Sequence, residues 1–495
     1  MLLLLTSLPS AFAGDFVDVW VTTAVEDTNL RAGPDSYSPS ANFVQRGNRV
    51  FFEDYETKTS DDISRAQLVL YRADEGFWKG WSSEAAFVLR YTPYLDPAKT
   101  KPGVDVRDDG SYVRLIRDLP GEKHNVSLTG YAVDAGRFRL GYSYDLTWGG
   151  KEIHSFTTGA APGARLQWQK KGNYAFLGFK STVGDYIDPD TLQSNNQAYY
   201  GYLGGAGIEL AEKVKLELGL GSFQQGQILN VSDVSSQLYG DIIQAGGLSA
   251  QVAFRTRGDL AFIESNDLKL YRNSPETAKD TYIGHRQVDG VGLLVQAEAD
   301  MLRHNLLSAT DDDSTVVESA RAGDVQTLLV INTTQVAVDL VYKDLPYILF
   351  NVPGLTSGVA MDPDMEKTPQ LYARGRVEHY FPNAHVTPSL GFGLMRPATY
   401  KTASGTFVQY SETEKEQVPE GQEAAAILSG VLGAQIDFSK SVIMLGELLY
   451  TVDNNLSDFV STTDEAGIVT GGERIPSSEE ERNAIGFNLM LRARF

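Results

Sequence analysis

The chain has no cysteine among its 495 residues, which excludes disulfides, thiolate catalysis and cysteine-ligated metals. Positive charge is scarce. Lys and Arg number 43 against 64 Asp and Glu, a net of −21, which argues against a nucleic-acid partner. No segment reaches the roughly 18 uninterrupted apolar residues that a membrane-spanning helix needs. The signatures of common enzyme chemistry are also missing: no P-loop, no HExxH and no GxSxG. Six histidines, at 124, 154, 285, 304, 379 and 385, are scattered. His379 and His385 flank one turn that offers no third ligand, and His154 leaves a Ser/His pair as the one open enzymatic reading. "GGAGIEL" (Gly204 to Leu210) superficially resembles a nucleotide loop, but it alternates and leads into a turn instead of a helix, so it reads as close strand packing. No cofactor, no metal and no enzymatic activity are expected.

What the chain does have is glycine (47), tyrosine (24) and phenylalanine (22), a combination that favours sheets with close strand contacts. It also has strict alternation. In the closing "NAIGFNLMLRARF", Ile485, Phe487, Leu489, Leu491, Ala493 and Phe495 share one parity, while Asn488, Met490, Arg492 and Arg494 share the other. That is an extended strand with one apolar and one polar face. "GRFRLGYSYDLTWGG" sets Phe138, Leu140, Tyr142, Tyr144, Leu146 and Trp148 against Arg137, Arg139 and Asp145. "AEKVKLELGLGSF" and "LYARGRVEHYF" repeat the pattern, as do "GLSAQVAFRTR" and "VGLLVQAEAD". Strands of about ten residues have the length to cross a hydrocarbon core at a tilt.

Connections alternate in length. Short turns are expected at Asp134-Ala135-Gly136, Lys171-Gly172-Asn173, Ala211-Glu212-Lys213, Arg257-Gly258-Asp259, Pro382-Asn383-Ala384 and Ser439-Lys440. Long polar stretches are expected at 149–162, 184–197, 224–246, 271–287, 344–368, 396–423 and 453–481. Short turns at one end and long loops at the other are the arrangement of a transmembrane barrel. Counting parity back from the C-terminus puts every short turn in the periplasm and every long stretch outside, if 325–343 is one strand and 48–56 is another. The full tally is about twenty strands. With 111–118 and other N-terminal segments in doubt, the fold class expected is all-β, a single closed antiparallel transmembrane β-barrel of about 18 strands, within roughly 16 to 20. Segments 94–110 and 301–324 would then be unusually long periplasmic connections, either miscounted hairpins or a plug. No fixed repeat and no Pro- or Ser-rich linker divides the chain, so residues 14–495 form one barrel domain. The mean hydropathy of −0.22 fits, because half the strand positions face water.

The last ten residues carry a resemblance. "GFNLMLRARF" resembles the terminal strand signature of Gram-negative outer-membrane β-barrels of the porin-like kind: a final Phe495, alternating Phe487, Leu489 and Leu491, and the upstream Gly486. In that family the barrel-assembly machinery recognises this signature, so the resemblance implies insertion into the outer membrane with that machinery as a partner. Residues 1–13, "MLLLLTSLPSAFA", are an apolar stretch ending in the small-x-small pattern Ala11-Phe12-Ala13. They read as an export signal peptide lacking the usual opening Lys or Arg, and the alternative is a buried N-terminal strand. Aromatic rows at Tyr199-Tyr200-Tyr202 and Tyr142/Tyr144/Trp148 are expected at the interfacial girdles.

The inward parity collects Arg137, Arg139, Arg165, Lys213, Lys215, Arg255, Arg374, Arg376, Arg492 and Arg494, with Glu217, Glu378 and Asp145 among them. One reading is a basic wall favouring anions, since opposite charge lowers the entry barrier of a narrow pore. The other is an Arg–Glu ladder that staples neighbouring strands. Acidic runs at Asp311-Asp312-Asp313, Glu412/Glu414/Glu416 and Glu479-Glu480-Glu481 are solvated loops or, through divalent cations, contacts to lipopolysaccharide; the first falls on the periplasmic side by the parity count. The Asp triplet lacks EF-hand spacing, so no calcium site is expected. Two functions remain: a porin-like channel for small solutes, with a bias toward anions left open, or a structural barrel of an envelope-spanning secretion, polysaccharide-export, adhesion or motility complex. Outer-membrane lipid and lipopolysaccharide are expected partners, with other envelope proteins or a homo-oligomer left open.

Overall fold

In the computed structural model the described residues are 17–31, 63–76, 78–96, 101–141, 143, 145–150, 160–229, 236–260, 262, 288–311, 313–350, 358–402, 407–410, 415–439, 441–463 and 469–495. The first thirteen residues and the expected strand 48–56 lie outside them. The strands are β1 (Asp18–Asp27), β2 (Ile63–Glu75), β3 (Trp81–Asp96), β4 (Lys101–Asp108), β5 (Tyr112–Asp118), β6 (His124–Tyr131), β7 (Gly163–Lys170), β8 (Asn173–Ile187), β9 (Ser194–Leu210), β10 (Val214–Gln227), β11 (Ile242–Arg255), β12 (Val291–Leu307), β13 (Thr315–Ile331) and β14 (Thr334–Lys343). After helix α1 (Leu345–Phe350) follow β15 (Lys367–Thr368), β16 (Gln370–His379), β17 (Val386–Arg396), β18 (Ala398–Lys401), β19 (Phe407–Tyr410), β20 (Lys415–Gln417), β21 (Ile427–Asp437), β22 (Val442–Val452), β23 (Ser457–Thr463) and β24 (Val469–Pro476). Helix α2 (Glu479–Arg482) and β25 (Asn483–Arg494) end the chain.

Nineteen of these strands form one antiparallel sheet, and β1 pairs with β25 from Trp20↔Arg494 to Asp27↔Phe487, which closes it. β4 and β5 both pair with β3, one along Leu89–Asp96 and the other along Trp81–Ala86, so they share one position. The barrel therefore has eighteen strand positions. The break between them, Asp109-Gly110-Ser111, is a bulge: the Asp108 carboxylate accepts the N–H of Gly110 (3.0 Å) and of Ser111 (3.1 Å). A bulge shifts the alternation by one residue, and here the inward parity passes from Arg107 and Asp109 to Tyr112 and Arg114. β15, β18, β19 and β20 make a small second sheet and β23–β24 a hairpin, both within the long connections.

The alternation read in the sequence is realised around the circumference. Outward positions are large and apolar: Leu177 is 66% exposed, Leu390 64% and Phe392 61%. Inward positions are polar or charged and buried, among them Arg65, Arg90, Lys180, Lys215, Glu298 and Glu447. An outer wall of this composition is stable only in hydrocarbon, where every strand must pair and closure is obligatory. Trp78, Trp81, Trp168, Phe381, Phe438 and Phe495 are exposed at the short-turn end, and Tyr342 and Tyr450 on the outer halves of β14 and β22.

Several expectations are corrected. Residues 136–150 are not a strand, and Asp134-Ala135-Gly136 is not a short turn; both belong to the 132–162 connection, which leaves β6 at the long-loop end. Trp148 is buried, not in a girdle, while Tyr142 and Tyr144 lie outside the described residues; in the other row Tyr200 and Tyr202 face out but Tyr199 faces in. Segment 325–343 is two strands, β13 and β14, joined at Asn332-Thr333, where Asn332 takes a φ of 52°. The connection holding 271–287 begins and ends at the short-turn end, as the Val288 N–H to the Asn332 carbonyl (3.2 Å) shows. One strand too many there and one too few after it cancelled in the parity count. Segments 94–110 and 301–324 are mostly strand, and the turn between β12 and β13, with Asp311 and Asp313, sits at the long-loop end, not on the periplasmic side. Segments 184–197 and 224–246 are shorter loops than expected, since β8 runs to Ile187 and β11 starts at Ile242.

Candidate functional site: the luminal constriction

The 132–162 connection folds back into the barrel, and its described part seats against the inner wall. A two-bond bridge between Leu140 and Trp148 (2.9 and 3.1 Å) makes it a small hairpin, with Ser143 to Leu146 as its turn. The alternation that suggested a strand arises because Phe138, Leu140, Leu146 and Trp148 all bury toward the wall, in one cluster with Phe176, Leu203 and Phe223. Inward glycines make the room. A Cβ at Gly178 would stand 2.5 Å from the Phe138 ring, and one at Gly221 would stand 2.9 Å from Trp148. The wall lacks side chains where the inserted hairpin supplies them, so the two surfaces interlock at near-crystalline density.

Polar contacts anchor both ends of the insert. The Lys180 ammonium on β8 donates to the carbonyls of Ala135 (3.0 Å), Phe138 (2.6 Å) and Gly149 (2.5 Å). Arg137 bonds the Asp109 carbonyl (2.8 Å) and carboxylate (2.7 Å), and Gln67 reaches the same carboxylate (2.5 Å). At the other end the Ser143 N–H donates to Glu298 (2.9 Å), its hydroxyl to Asp324, and Asp145 pairs with Arg374 (2.6 Å). The Trp148 indole donates to Ser249 (2.7 Å). A second insert, α1, meets the first: the Tyr347 hydroxyl contacts the Leu146 carbonyl and lies 2.8 Å from Asp300. Burial, with Asp300 beside it, raises the Tyr347 phenol well above its ordinary range, so it remains a donor.

Charge is sorted by sector. Inward bases gather on β2 to β10: Arg65, Arg90, Arg114, Arg165, Lys180 and Lys215. Glu26, Glu84 and Asp109 offset part of that excess through pairs with Arg65 (3.0 Å), Arg114 (3.2 Å) and Arg137 (2.7 Å). Inward acids gather on β12 to β14, separated from β10 by β11 alone: Glu298, Asp300, Asp324 and Asp339. The insert joins the two sectors.

The ten expected wall residues take different places. Arg137 and Arg139 sit on the insert, where Arg139 bonds Thr147 (3.1 and 3.0 Å). Arg165 lies over the rings of Phe138 and Phe176, and Lys215 over Tyr174. Lys213 is exposed in the 211–213 turn. Arg255 pairs with Glu209 (2.7 Å), Arg374 with Asp145 and Asp339 (2.6 Å each), and Arg376 with Glu378 (2.7 Å) and Glu447 (2.9 Å). Arg492 bonds Thr22 (2.8 Å) beside Trp20, and Arg494 pairs with Asp18 (3.2 Å) across the seam. Pairing of the ladder kind, between neighbouring strands, is seen for Arg374 with Asp339 and for Arg494 with Asp18.

Gly486 faces inward where a Cβ would press on the backbone of Asp27 and Thr28, while Phe487, Leu489, Leu491 and Phe495 lie on the outward parity. The acid runs separate too: Glu479–Glu481 open α2 behind a Ser478 capping box, and Glu412 and Glu414 lie outside the described residues, as do His154 and His285. Among the other histidines, His304 is buried between Gln225 (3.1 Å) and Phe350, and His379 bonds Thr334 (2.8 Å). Lys180, Asp109, Glu298, Asp324 and Tyr347 were missed. Lys180 was detectable as the only charge within the apolar "YAFLGFKSTVG".

No protein-family model matches the sequence, and no curated protein matches it. Among solved structures the chain is similar to Pseudomonas aeruginosa OccK1 (OpdK), 8% identical over 97% of this chain and 98% of that one, TM-score 0.46. Acinetobacter baumannii OccAB2 matches at 7% identity over 97% and 98%, TM-score 0.46. Wzi of Escherichia coli, a carbohydrate-binding β-barrel involved in group 1 capsule assembly, matches at 12% over 98% and 86%, TM-score 0.41. The likeness is one of barrel architecture.

Proposed function

We propose that the chain is an integral outer-membrane channel for the passive passage of small polar solutes, exported by way of residues 1–13 and inserted by the barrel-assembly machinery. The observation that carries this reading is the insert: a hairpin from the long-loop end, clamped to the inside of an eighteen-strand barrel between a basic and an acidic sector. Barrels of this width hold an aqueous lumen unless something fills it. A segment docked along one wall narrows such a lumen and sets charges against whatever passes. Preference for anions draws on the basic sector β2 to β10. Planar-bilayer recording of the purified full chain tests both parts. A steady ohmic conductance is expected, with a reversal potential in a salt gradient on the anion side. A silent barrel removes the channel, and cation preference removes the anion bias alone.

One observation favours the structural-barrel reading. The connection from β11 to β12 leaves and re-enters at the short-turn end, and Leu260, Phe262 and Val288 from its two ends pack with Ala253, Leu294 and Val330. A fixed apolar base under a long periplasmic connection suits the docking of another envelope protein. Co-purification of such a protein with a non-conducting barrel would decide for it.

A further inference from the structure

The lipid-facing wall carries arginine where lipid should forbid it. Arg303 on β12 and Arg321 on β13 are both exposed on the outward parity. The register pairs Arg303 with Ser319 and Met301 with Arg321, so the two arginines are diagonal neighbours on one face. Diagonal neighbours in a sheet stand roughly 7 Å apart, within reach for two guanidinium groups to share one anion. Arg396 on β17 is the third, three strand positions further round, with Tyr342 and Leu371 facing outward between them.

Their height is informative. Arg321 stands ten residues above Ile331 and Arg396 ten above Val386, each counted from the short-turn end. Ten residues are about 34 Å of strand, or roughly 25 Å of height at a tilt of about 40–45°, which is the thickness of the apolar band. Below them the outward side chains are apolar or small: Met301, Ala299, Gly323, Val325, Leu394 and Phe392. The arginines therefore stand at the rim of the band, where acyl chains give way to headgroups. Among the described side chains, outward bases at this height fall only on β12 to β17.

Among the described residues no acidic side chain forms an ion pair with either Arg303 or Arg321. Asp344 is the acid in the field of Arg321, and it accepts that residue's backbone N–H (2.9 Å) and the N–H of Tyr347 (2.9 Å) without an ion pair to the guanidinium. The acidic turn holding Asp311 and Asp313 lies about 20 Å further along the strands, beyond a Debye length. An uncompensated pair of arginines on a hydrophobic wall is costly at the midplane and favourable at the rim only if an anion meets it there.

We infer that Arg303 and Arg321, flanked by Arg396, form a binding site on the outer wall for the phosphate of an outer-leaflet glycolipid of the lipopolysaccharide type. The acyl chains would lie along the apolar surface below. This rests on the outer-membrane orientation but not on conduction.

The test is native mass spectrometry of the purified full chain titrated with lipid A, with its dephosphorylated form, and with lipid A plus an equal concentration of inorganic phosphate. Wild type is expected to hold lipid A, and at least tenfold less of the dephosphorylated lipid, with no displacement by phosphate. R303Q/R321Q is expected to lose binding at least tenfold and R303K/R321K to retain most of it, both checked for heat-modifiable barrel migration. Equal retention of the two lipids by wild type overturns the site without any variant, and displacement by free phosphate overturns its assignment to a lipid. Unchanged binding by R303Q/R321Q also overturns it. If lipid binding behaves as expected while the barrel is silent in bilayers, the channel reading fails and this site stands.

Discussion

Asp145 and Arg374 form a 2.6 Å ion pair across 229 residues of sequence, and through it the turn of the inserted hairpin is tied to β16. Arg374 is bonded on its other edge by Asp339 (2.6 Å), so one guanidinium bridges the insert and the wall. Both partners are nearly buried, but Asp339 still faces the guanidinium when Asp145 is removed. R374Q is expected to destabilise the protein by about 3 kcal/mol and D145N by less, about 1–2 kcal/mol. The double variant should cost less than the two added together, by about 1–2 kcal/mol. Denaturant melts in detergent give the cycle, and strict additivity would mean that the pair is incidental.

Lys180 is a different kind of anchor, because its three carbonyl partners all belong to the insert and none is charged. Lys180→Met keeps the stem and removes three donors. Each orphaned carbonyl costs on the order of 1 kcal/mol or more if water cannot reach it. The expected outcome is an insert that undocks in an intact barrel: larger conductance, new protease cleavage within 132–162, and unchanged β-sheet circular dichroism. A variant with wild-type conductance and no new cleavage would show that apolar packing alone holds the hairpin.

The barrel was legible because strand alternation, a ten-residue stride and sorted loop lengths are local and redundant; an error in one strand leaves the others standing. The insert was not, and "GRFRLGYSYDLTWGG" shows why. Alternation reports two unlike faces but not what each meets, and Phe138 and Trp148 alternate toward the inner wall as lipid-facing residues alternate toward hydrocarbon. Ionic roles were harder still. The bases on β16 and β25 were visible, as was Glu378 beside Arg376, but their other acids are on β14, β22, β1 and the insert, and only the register brings Arg376 to Glu447 or Arg494 to Asp18.

The glycine trough separates packing from polar anchoring. At Gly178 a Cβ would meet the Phe138 ring and the Ala164 carbonyl at 2.5 Å, so Gly178→Val cannot coexist with a docked insert. Overpacking of this kind costs about 1–3 kcal/mol; expelling the insert relieves the ring contact, and a small shift of β7 accommodates the carbonyl. Gly430 gives the control, since a Cβ there meets nothing within 4 Å. G178V is expected to reproduce the cleavage and conductance changes of the Lys180 variant, and G430A to match wild type. Identical behaviour of the two glycine variants would contradict the seating of Phe138 described above.

Phe495 distinguishes assembly from stability. Its backbone closes the seam, with the N–H donating to the Val19 carbonyl (2.9 Å) and the carbonyl accepting from the Val19 N–H (3.2 Å), but its side chain is 65% exposed toward lipid. A serine keeps both backbone bonds and gives up only lipid contact at the rim of the band, where polar residues are nearly neutral. F495S refolded in vitro should therefore melt within about 1 kcal/mol of wild type. In cells the same variant should reach the surface at a small fraction of the wild-type level and be degraded on the way, as the proposed reading of the terminal aromatic by the assembly machinery requires. A parallel loss in both experiments would make Phe495 a structural residue, and normal surface display would remove the recognition role.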